Sequence, residues 1–253
     1  MSIDAGREMD WGRVSADYSR FRAGPPPSFY ERLKQHGIGT PGQRLLDFGT
    51  GTGVLARTFS RAGALVSGID RSPEQIDAAI RAAAEEKLAI DFRVAPAEAT
   101  PFPAGSFEAI TGNQCWHFFD VPKAIAEASR LLVPGGLLAV SDFFWVAKLD
   151  PIAARTEELI LKFNPQWTGM GWSGDLPAQP DGKIVASFEY DEPIPFSRET
   201  WRGRLRTCRA IGPSLTSAEV EAFDEEHRRL LEATTPERFE ILHRIRANIY
   251  RIG

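Results

Sequence analysis

Two sets of residues in this chain have types and spacings suited to chemistry. The run GTGTG, from Gly49 to Gly53, follows an apolar stretch that ends on Asp47. Glycine after a strand permits a tight turn and lets backbone N–H groups meet a ligand with no Cβ in the way. The next apolar stretch ends on Asp70, past the last glycine, where a carboxylate can accept two hydrogen bonds from a ribose diol. Ser72 is the better helix cap nearby, which leaves Asp70 for the ligand. The second set is the run QCWHFFD, residues 114 to 120. A histidine ordinarily titrates near neutral pH, so His117 could take the proton of a phenol or a carboxylic acid; packed with Trp116 and Phe118, it is otherwise pocket wall. Cys115 has no base and orienting group in view and reads as a small buried residue.

Strands and helices must hold these residues in place. RLLDF (44–48), ALVSGID (64–70), IDFRV (90–94), FEAITG (107–112) and LLAVSDFF (137–144) read as strands, with helices near 53–62, 73–87 and 121–133 between them. This alternation predicts an α/β fold: a Rossmann-like, doubly wound, mostly parallel sheet with helices on both faces. Ser72-Pro73 marks the start of one helix and Asp120-Val-Pro the start of another, and Pro134-Gly135-Gly136 is expected to close the latter. Residues 184–190 and the alternating run Phe239, Ile241, Ile245, Ala247 and Ile249 supply two further strands, seven in all. Helices are expected at 151–163, 197–211 and 217–233, the last two each opened by a serine, and a short N-terminal helix ahead of the rigid Pro25–Pro27 connection. Because C-terminal strand edges hold the ligands of open α/β sheets, His117 falls where a substrate is expected.

Composition narrows the possibilities. The 253 residues are 43% hydrophobic and 25% charged, the profile of an ordinary globular protein. A net charge of -4 argues against a general nucleic-acid binder. Cys115 and Cys208 lie far apart without metal-ligand spacing, so neither a disulfide framework nor a structural zinc site is expected, and a cytoplasmic setting is the default. The N-terminal residues lack the apolar core of a signal peptide, and no stretch is long enough to span a bilayer. His36 falls in a loop, His227 on an exposed-looking helix and His243 on the last strand.

Four ordered blocks, LLDFGTGTG, GIDRSPEQI, AEATPFPAGSFE and LLVPGG, resemble the class I S-adenosylmethionine-dependent methyltransferases. The likeness runs from residue 11 to residue 145 and is strongest to the small-molecule group with the trans-aconitate and ubiquinone-pathway enzymes. It implies that Asp47, Gly49, Thr50, Gly51 and Gly53 hold the methionine moiety and ribose edge of S-adenosyl-L-methionine. It also implies that Asp70 takes the ribose hydroxyls, that Arg71 and Gln75 flank the adenine, and that Ala97 and Glu98 lie at its edge. Asn113 would meet the cofactor's amino group. Many members carry an aspartate where this chain has Pro96, so either Glu98 or a backbone carbonyl must serve the adenine amine. The N-terminal run resembles the lid of this group, in which Tyr18 and Arg22 share a helix face and Arg22 could pair with the cofactor carboxylate.

The resemblance implies one methyltransferase domain: a lid (1–35), a cofactor-binding core (36–146) and substrate-side helices with the last strands (147–253). It implies methyl transfer to a small-molecule acceptor at O, N or C, by a monomer or homodimer that engages neither nucleic acid nor membrane. The alternatives are a protein or nucleic-acid methyltransferase and a non-methylating adenosylmethionine-binding protein. The Asn/Asp-Pro-Pro-aromatic signature of base-amine methylation is absent after the fourth strand. An NAD-dependent reductase is disfavoured, with no Tyr-x-x-x-Lys pair or second nucleotide half in the chain. Phe144, Trp145, Trp167, Trp172 and Trp201 are expected to form an aromatic substrate wall. Arg202, Arg206 and Arg209 make one helix face that either receives an anion or faces the acids of AEVEAFDEE.

Overall fold

Each apolar run becomes a strand at or within two residues of the boundary its pattern suggests, except where β7 starts early and where the strand expected at 184–190 runs on to Ser197. The structure is a computed structural model that describes residues 2–4, 7–10, 12–14, 17, 20–22, 24–169 and 183–252. β1 (Ser2–Asp4) and β2 (Arg7–Met9) form a small antiparallel pair. The main sheet holds β3 (Arg44–Phe48), β4 (Leu65–Asp70), β5 (Asp91–Val94), β6 (Phe107–Asn113), β7 (Leu132–Trp145), β8 (Lys183–Ser197) and β9 (Arg238–Arg251). Its order is β5-β4-β3-β6-β7-β9-β8, and β5, β4, β3, β6 and β7 run parallel. The backbones of Gly136 and Ile252 meet, and Asp142 pairs with Arg246, so β9 runs against β7. Ser187 meets Asn248 and Asp191 meets Arg244, so β8 runs against β9. The direction in which strands are added reverses after β5, so that β6 lies on the far side of β3 from β4, and the crevice beyond the carboxyl ends of β3 and β6 is the ligand position of such sheets.

The helices are α1 (Pro27–Gln35), α2 (Val54–Arg61), α3 (Pro73–Glu85), α4 (Val121–Leu131), α5 (Pro151–Phe163), α6 (Arg198–Arg206) and α7 (Ser217–Thr234). Side chains cap five of them at the N-terminus: Ser72, Asp120, Asp150, Ser197 and Thr216. Each satisfies a backbone donor that the first helical turn leaves open. α7 is thus opened by Thr216, one residue before the expected serine. α6 stops at Arg206, short of 211, and the segment after it is held by turns at Cys208 and Ile211. Pro134-Gly135-Gly136 does not close α4, which ends at Leu131. Two steps along β6, from Phe107 to Ala109, match Leu132 and Leu137 on β7, so residues 133–136 bulge out of the strand. Among the described residues, no helix is long and apolar enough to cross a membrane.

Two compact units are present. Among the described residues one holds 24–143, 183–190 and 245–252. Its core joins Leu46, Phe48, Ile110, Leu138 and Val140 of the strands to Ala124, Ala128 and Leu131 of α4. The helix buries the stripe spaced 4 and 3 residues apart, as an amphipathic helix on a sheet must. α2 packs on β3 and β4, and α3 on β4 and β5.

The other unit holds the described residues up to 22 together with 144–169 and 191–244. Trp145, Trp201, Leu205, Phe223 and Leu231 share its core. The expected aromatic wall is corrected here: Trp145 and Trp201 are fully buried core, and their indole N–H groups donate to Glu157 (2.9 Å) and Thr156 (3.2 Å). Trp167 is buried with them, and Trp172 lies outside the described residues. His227 is likewise not solvated. It is buried between Phe223 and Leu231 on the inner stripe of α7, with Nε2 3.4 Å from the Thr156 hydroxyl. Burial lowers its pKa to about 3, and that of the fully buried His243 to about 3 as well. Arg202 and Arg206 both pair with Asp224, and Arg206 also with Asp17, which decides that helix face in favour of the acidic neighbour. The lid reading falls partly outside the described residues. Gly12–Val14 form a single 3-10 turn.

Candidate active site

β3 and β4 end side by side, with Asp47 opposite Gly68 and Phe48 opposite Ile69, so their terminal acids flank one turn. That turn is left-handed at each glycine, with φ of 60° at Gly49, 55° at Gly51 and 74° at Gly53. Such angles favour glycine, and space enforces the choice at two of them. A Cβ on Gly49 would stand 2.8 Å from that of Cys115, and one on Gly53 2.7 Å from the Phe92 ring.

Asp70 holds the turn together. One of its oxygens accepts from the Gly51 N–H (3.0 Å) and the other from the Ser72 N–H (2.9 Å). Burial raises its pKa, and these backbone donors and the charge of exposed Arg71 oppose the rise. Thr50 is buried, its N–H donating to Ile69 O at 2.8 Å. Asp47 is buried too, and the Thr111 hydroxyl donates to it across the register at 2.7 Å. Burial pushes its carboxyl from the usual carboxylate range up to about 6, eased by the threonine hydroxyls and reinforced by the charge of Asp70. α2 begins at this turn with Gly53 as its N-cap and no side-chain cap. Its first N–H groups therefore face the crevice, where an anionic or polar ligand group would find them.

Gln75, Ala97, Glu98, Asn113 and His117 lie at or just after the carboxyl ends of β4, β5 and β6. Gln75 is buried in the first turn of α3, its N–H donating to Ser72 Oγ at 3.3 Å. Ala97 is buried in the turn after β5, and Glu98 accepts from the Asp120 N–H at 2.8 Å, which ties that turn to the start of α4. Asn113 ends β6 with its Oδ1 accepting from the Ser141 hydroxyl at 3.0 Å. His117 lies on a 3-10 turn, Trp116–Phe118, exposed and with its ring 4.0 Å from that of Phe118. Arg22 belongs to the other unit, where its Nε donates to Thr207 Oγ1 at 3.4 Å; Tyr18 lies outside the described residues.

Comparison with known proteins identifies this arrangement. A model of the methyltransferase domain matches residues 46–140, the span from β3 into β7. The chain is 31% identical over 225 residues to an uncharacterized methyltransferase of Mycobacterium bovis, covering 83% of this chain and 89% of the relative. The chain belongs to the S-adenosylmethionine-dependent methyltransferases. A ubiquinone biosynthesis O-methyltransferase of Methylocella silvestris is 34% identical over 185 residues, which is 73% of this methyltransferase and 60% of that one. Among solved structures, the [4+2]-cyclase SpnF shares the fold at a TM-score of 0.55 and 19% identity, over 96% of this chain and 94% of its own.

S-Adenosylmethionine is therefore the cofactor of this methyltransferase, and the turn fits it. The Thr52 hydroxyl, within the turn, is fully buried without a hydrogen-bond partner, a condition that native cores seldom leave unmet. Two acids with an uncapped helix start complement a molecule carrying a sulfonium, an ammonium and a carboxylate.

Sequence reasoning missed several residues around the turn. Thr111 was legible only as a polar residue inside the apolar β6. Cys115 closes the turn from above, its thiol donating to Phe48 O at 3.2 Å, and burial holds that thiol well above its usual range. Gln114, at a φ of 57°, donates its backbone N–H to Ser141 O (2.9 Å) and its side-chain amide to Phe143 O.

The buried Asp47 has a measurable consequence for stability. Its folded pKa of about 6 lies above its reference value of 3.8. Between those pH values the folded state binds the proton and the unfolded state does not, so this group's contribution is full below about pH 4 and is lost as pH rises through 6. The loss is roughly 3 kcal/mol. Asp47→Asn should remove it, so the variant's stability relative to the parent should rise by that order between pH 4 and 7 in urea titrations. The neutral buried histidines act with the opposite sign and cancel in this difference. A difference that stays flat with pH would show that Asp47 is not strained by its burial.

Proposed function

We propose that this methyltransferase moves a methyl group from S-adenosylmethionine to a small-molecule acceptor by direct SN2 displacement. The carrying observation is the pair of carboxylates, Asp47 and Asp70, flanking one left-handed glycine turn at the start of an uncapped helix. When bound, the cofactor supplies an electrophilic methyl group on a positively charged sulfur.

In this reading Asp47, Gly49, Thr50, Gly51 and Gly53 hold the methionine and ribose edge. Asp70 accepts from the ribose hydroxyls with the lone pairs its two backbone donors leave over. Arg71, Gln75, Ala97 and Glu98 frame the adenine, with one oxygen of Glu98 already engaged by α4, and Asn113 faces the amino group. Tyr18 and Arg22 belong to the lid. His117 removes the acceptor proton, and its exposure keeps it open to solvent for proton exchange. The name of the Methylocella silvestris relative supports a small acceptor, and the acidic balance of the chain supports no nucleic acid. We read the 253 residues as one methyltransferase domain acting as a monomer or homodimer in the cytoplasm.

Calorimetric titration with S-adenosylhomocysteine, with NADH in parallel, tests the cradle: micromolar binding of the former alone is expected. Transfer is then sought with radiolabelled cofactor and a panel of phenols and carboxylic acids. His117→Ala should lower turnover while leaving S-adenosylhomocysteine affinity as it was. An unchanged rate would reduce His117 to pocket wall, and NADH binding alone would overturn the reading.

A further inference from the structure

A second charged group stands at the carboxyl end of β6, outside the cofactor turn. Ser141 of β7 is level with Asn113, the last residue of β6. Asp142 is therefore one step beyond the end of β6, at the lip where an open α/β sheet receives its ligands. Its side chain follows Leu138 and Val140 along one strand face, the face of the sheet core that includes Cys115. An apolar residue would continue that core. A carboxylate stands there instead, with only 12% of its side chain exposed.

Arg246 of β9 holds the carboxylate in an uneven way. Its Nε and Nη2 donate to the same oxygen, Oδ2, at 3.3 and 3.1 Å. Among the described residues no donor reaches Oδ1, although that oxygen is not sealed from solvent. A buried ion pair is costly to keep for stability alone, and packed apolar residues of similar volume often serve as well. The charged groups facing Asp142 are Arg246, and around the Cys115 thiol Asp47 and Asp70, since all three carboxylates act on that thiol. Burial raises the Asp142 carboxyl, and Arg246 opposes the rise. The group is thus a hydrogen-bond acceptor held in place by one arginine, with a free oxygen at the lip and the two cofactor-side acids within electrostatic reach of the same thiol.

We propose that Asp142 is the acceptor-side carboxylate of this methyltransferase, positioned by Arg246, and that it selects acceptors whose methylated atom is a hydroxyl oxygen or an amine nitrogen. The proposal rests on the reading of the glycine turn as the cofactor cradle. Oδ1 takes the hydrogen bond of the nucleophile's O–H or N–H. At transfer the nucleophile's lone pair forms the new bond to carbon, the sulfur keeps the electron pair of the bond it loses, and the nucleophile's proton passes to Oδ1 and from there through water to the exposed His117, the base of the proposed function. A carbon nucleophile offers no such hydrogen bond and leaves Oδ1 unmatched, which favours oxygen and nitrogen over the third possibility.

The test needs no acceptor. The intact protein, labelled with 13C at aspartate carboxyls, is titrated by NMR in complex with S-adenosylhomocysteine and with sinefungin. Sinefungin places a charged amine at the position of the transferred methyl group, which is empty in S-adenosylhomocysteine. Asp142 should titrate about one pH unit lower in the sinefungin complex, because a carboxylate facing the methyl position feels that charge. An equal midpoint in the two complexes overturns the proposal while leaving the cradle intact. Failure of S-adenosylhomocysteine to bind overturns the cradle first and the proposal with it. Arg246→Met should raise the Asp142 midpoint by about one unit or more at unchanged S-adenosylhomocysteine affinity, with Arg246→Lys restoring it. An unmoved midpoint would remove Arg246 from the positioning role.

Discussion

Asp70→Ala should weaken S-adenosylhomocysteine binding on the order of tenfold to a hundredfold through lost charge-assisted hydrogen bonds. Two effects act together. In the proposed reading the ribose loses its acceptor, and in the structure the Gly51 and Ser72 N–H groups lose the carboxylate that tethers them. The second effect distinguishes Asp70 from a simple contact, because the turn's left-handed geometry is then no longer braced from β4. Asp70→Asn should rescue little. An amide in that place turns one of the two oxygens into an N–H donor aimed at a backbone N–H, whichever way it flips. Calorimetry on both variants checks the expectation, and parental affinity in the alanine variant would remove Asp70 from the site.

The largest stability effect is expected from Trp201→Ala, at about 3–5 kcal/mol. The indole is fully buried and meets the rings of Trp145 (5.3 Å), Phe196 (4.9 Å) and His243 (6.1 Å) edge-on. Its N–H donates to Thr156 Oγ1, the same hydroxyl that lies near His227. Truncation therefore opens a cavity walled by rigid rings, which collapse poorly, and it disturbs a shared polar junction. Trp201→Phe keeps most of the apolar area and should cost clearly less. Urea denaturation measures both. A loss below about 1 kcal/mol for the alanine variant would show that the unit is not packed around this side chain.

That tryptophan also marks the limit of what a linear reading supports. The same aromatic residues that suggest a substrate wall are core, because a pattern of large rings does not state which face of an element is covered. The distinction was partly within reach. Phe223, His227 and Leu231 stand four apart on α7, a buried stripe by its spacing, and the histidine belongs to that stripe. Arg204 is another such case: it is buried beside Trp201 and Leu205, with its guanidinium 5.3 Å from the Trp145 ring centre. Pro27 at the first position of α1 was a start signal left unread.

The strands, most of the caps and the glycine turn follow from local residue order, since each depends on a few neighbouring residues: the alternation of apolar positions, a Ser or Asp ahead of a helix, a glycine where φ is positive. With those came the fold class and the acids at the ends of β3 and β4. Which charges meet is set by how the elements pack. Asp47 and Thr111 are brought together by the pairing of β3 with β6, Arg202 and Arg206 find Asp224 through the packing of α6 on α7, and Asp142 finds Arg246 because β9 lies against β7. Such partners are far apart in the chain, and strand order, not local preference, makes them neighbours. Burial then sets what each charge costs and which of its atoms remain open to a ligand.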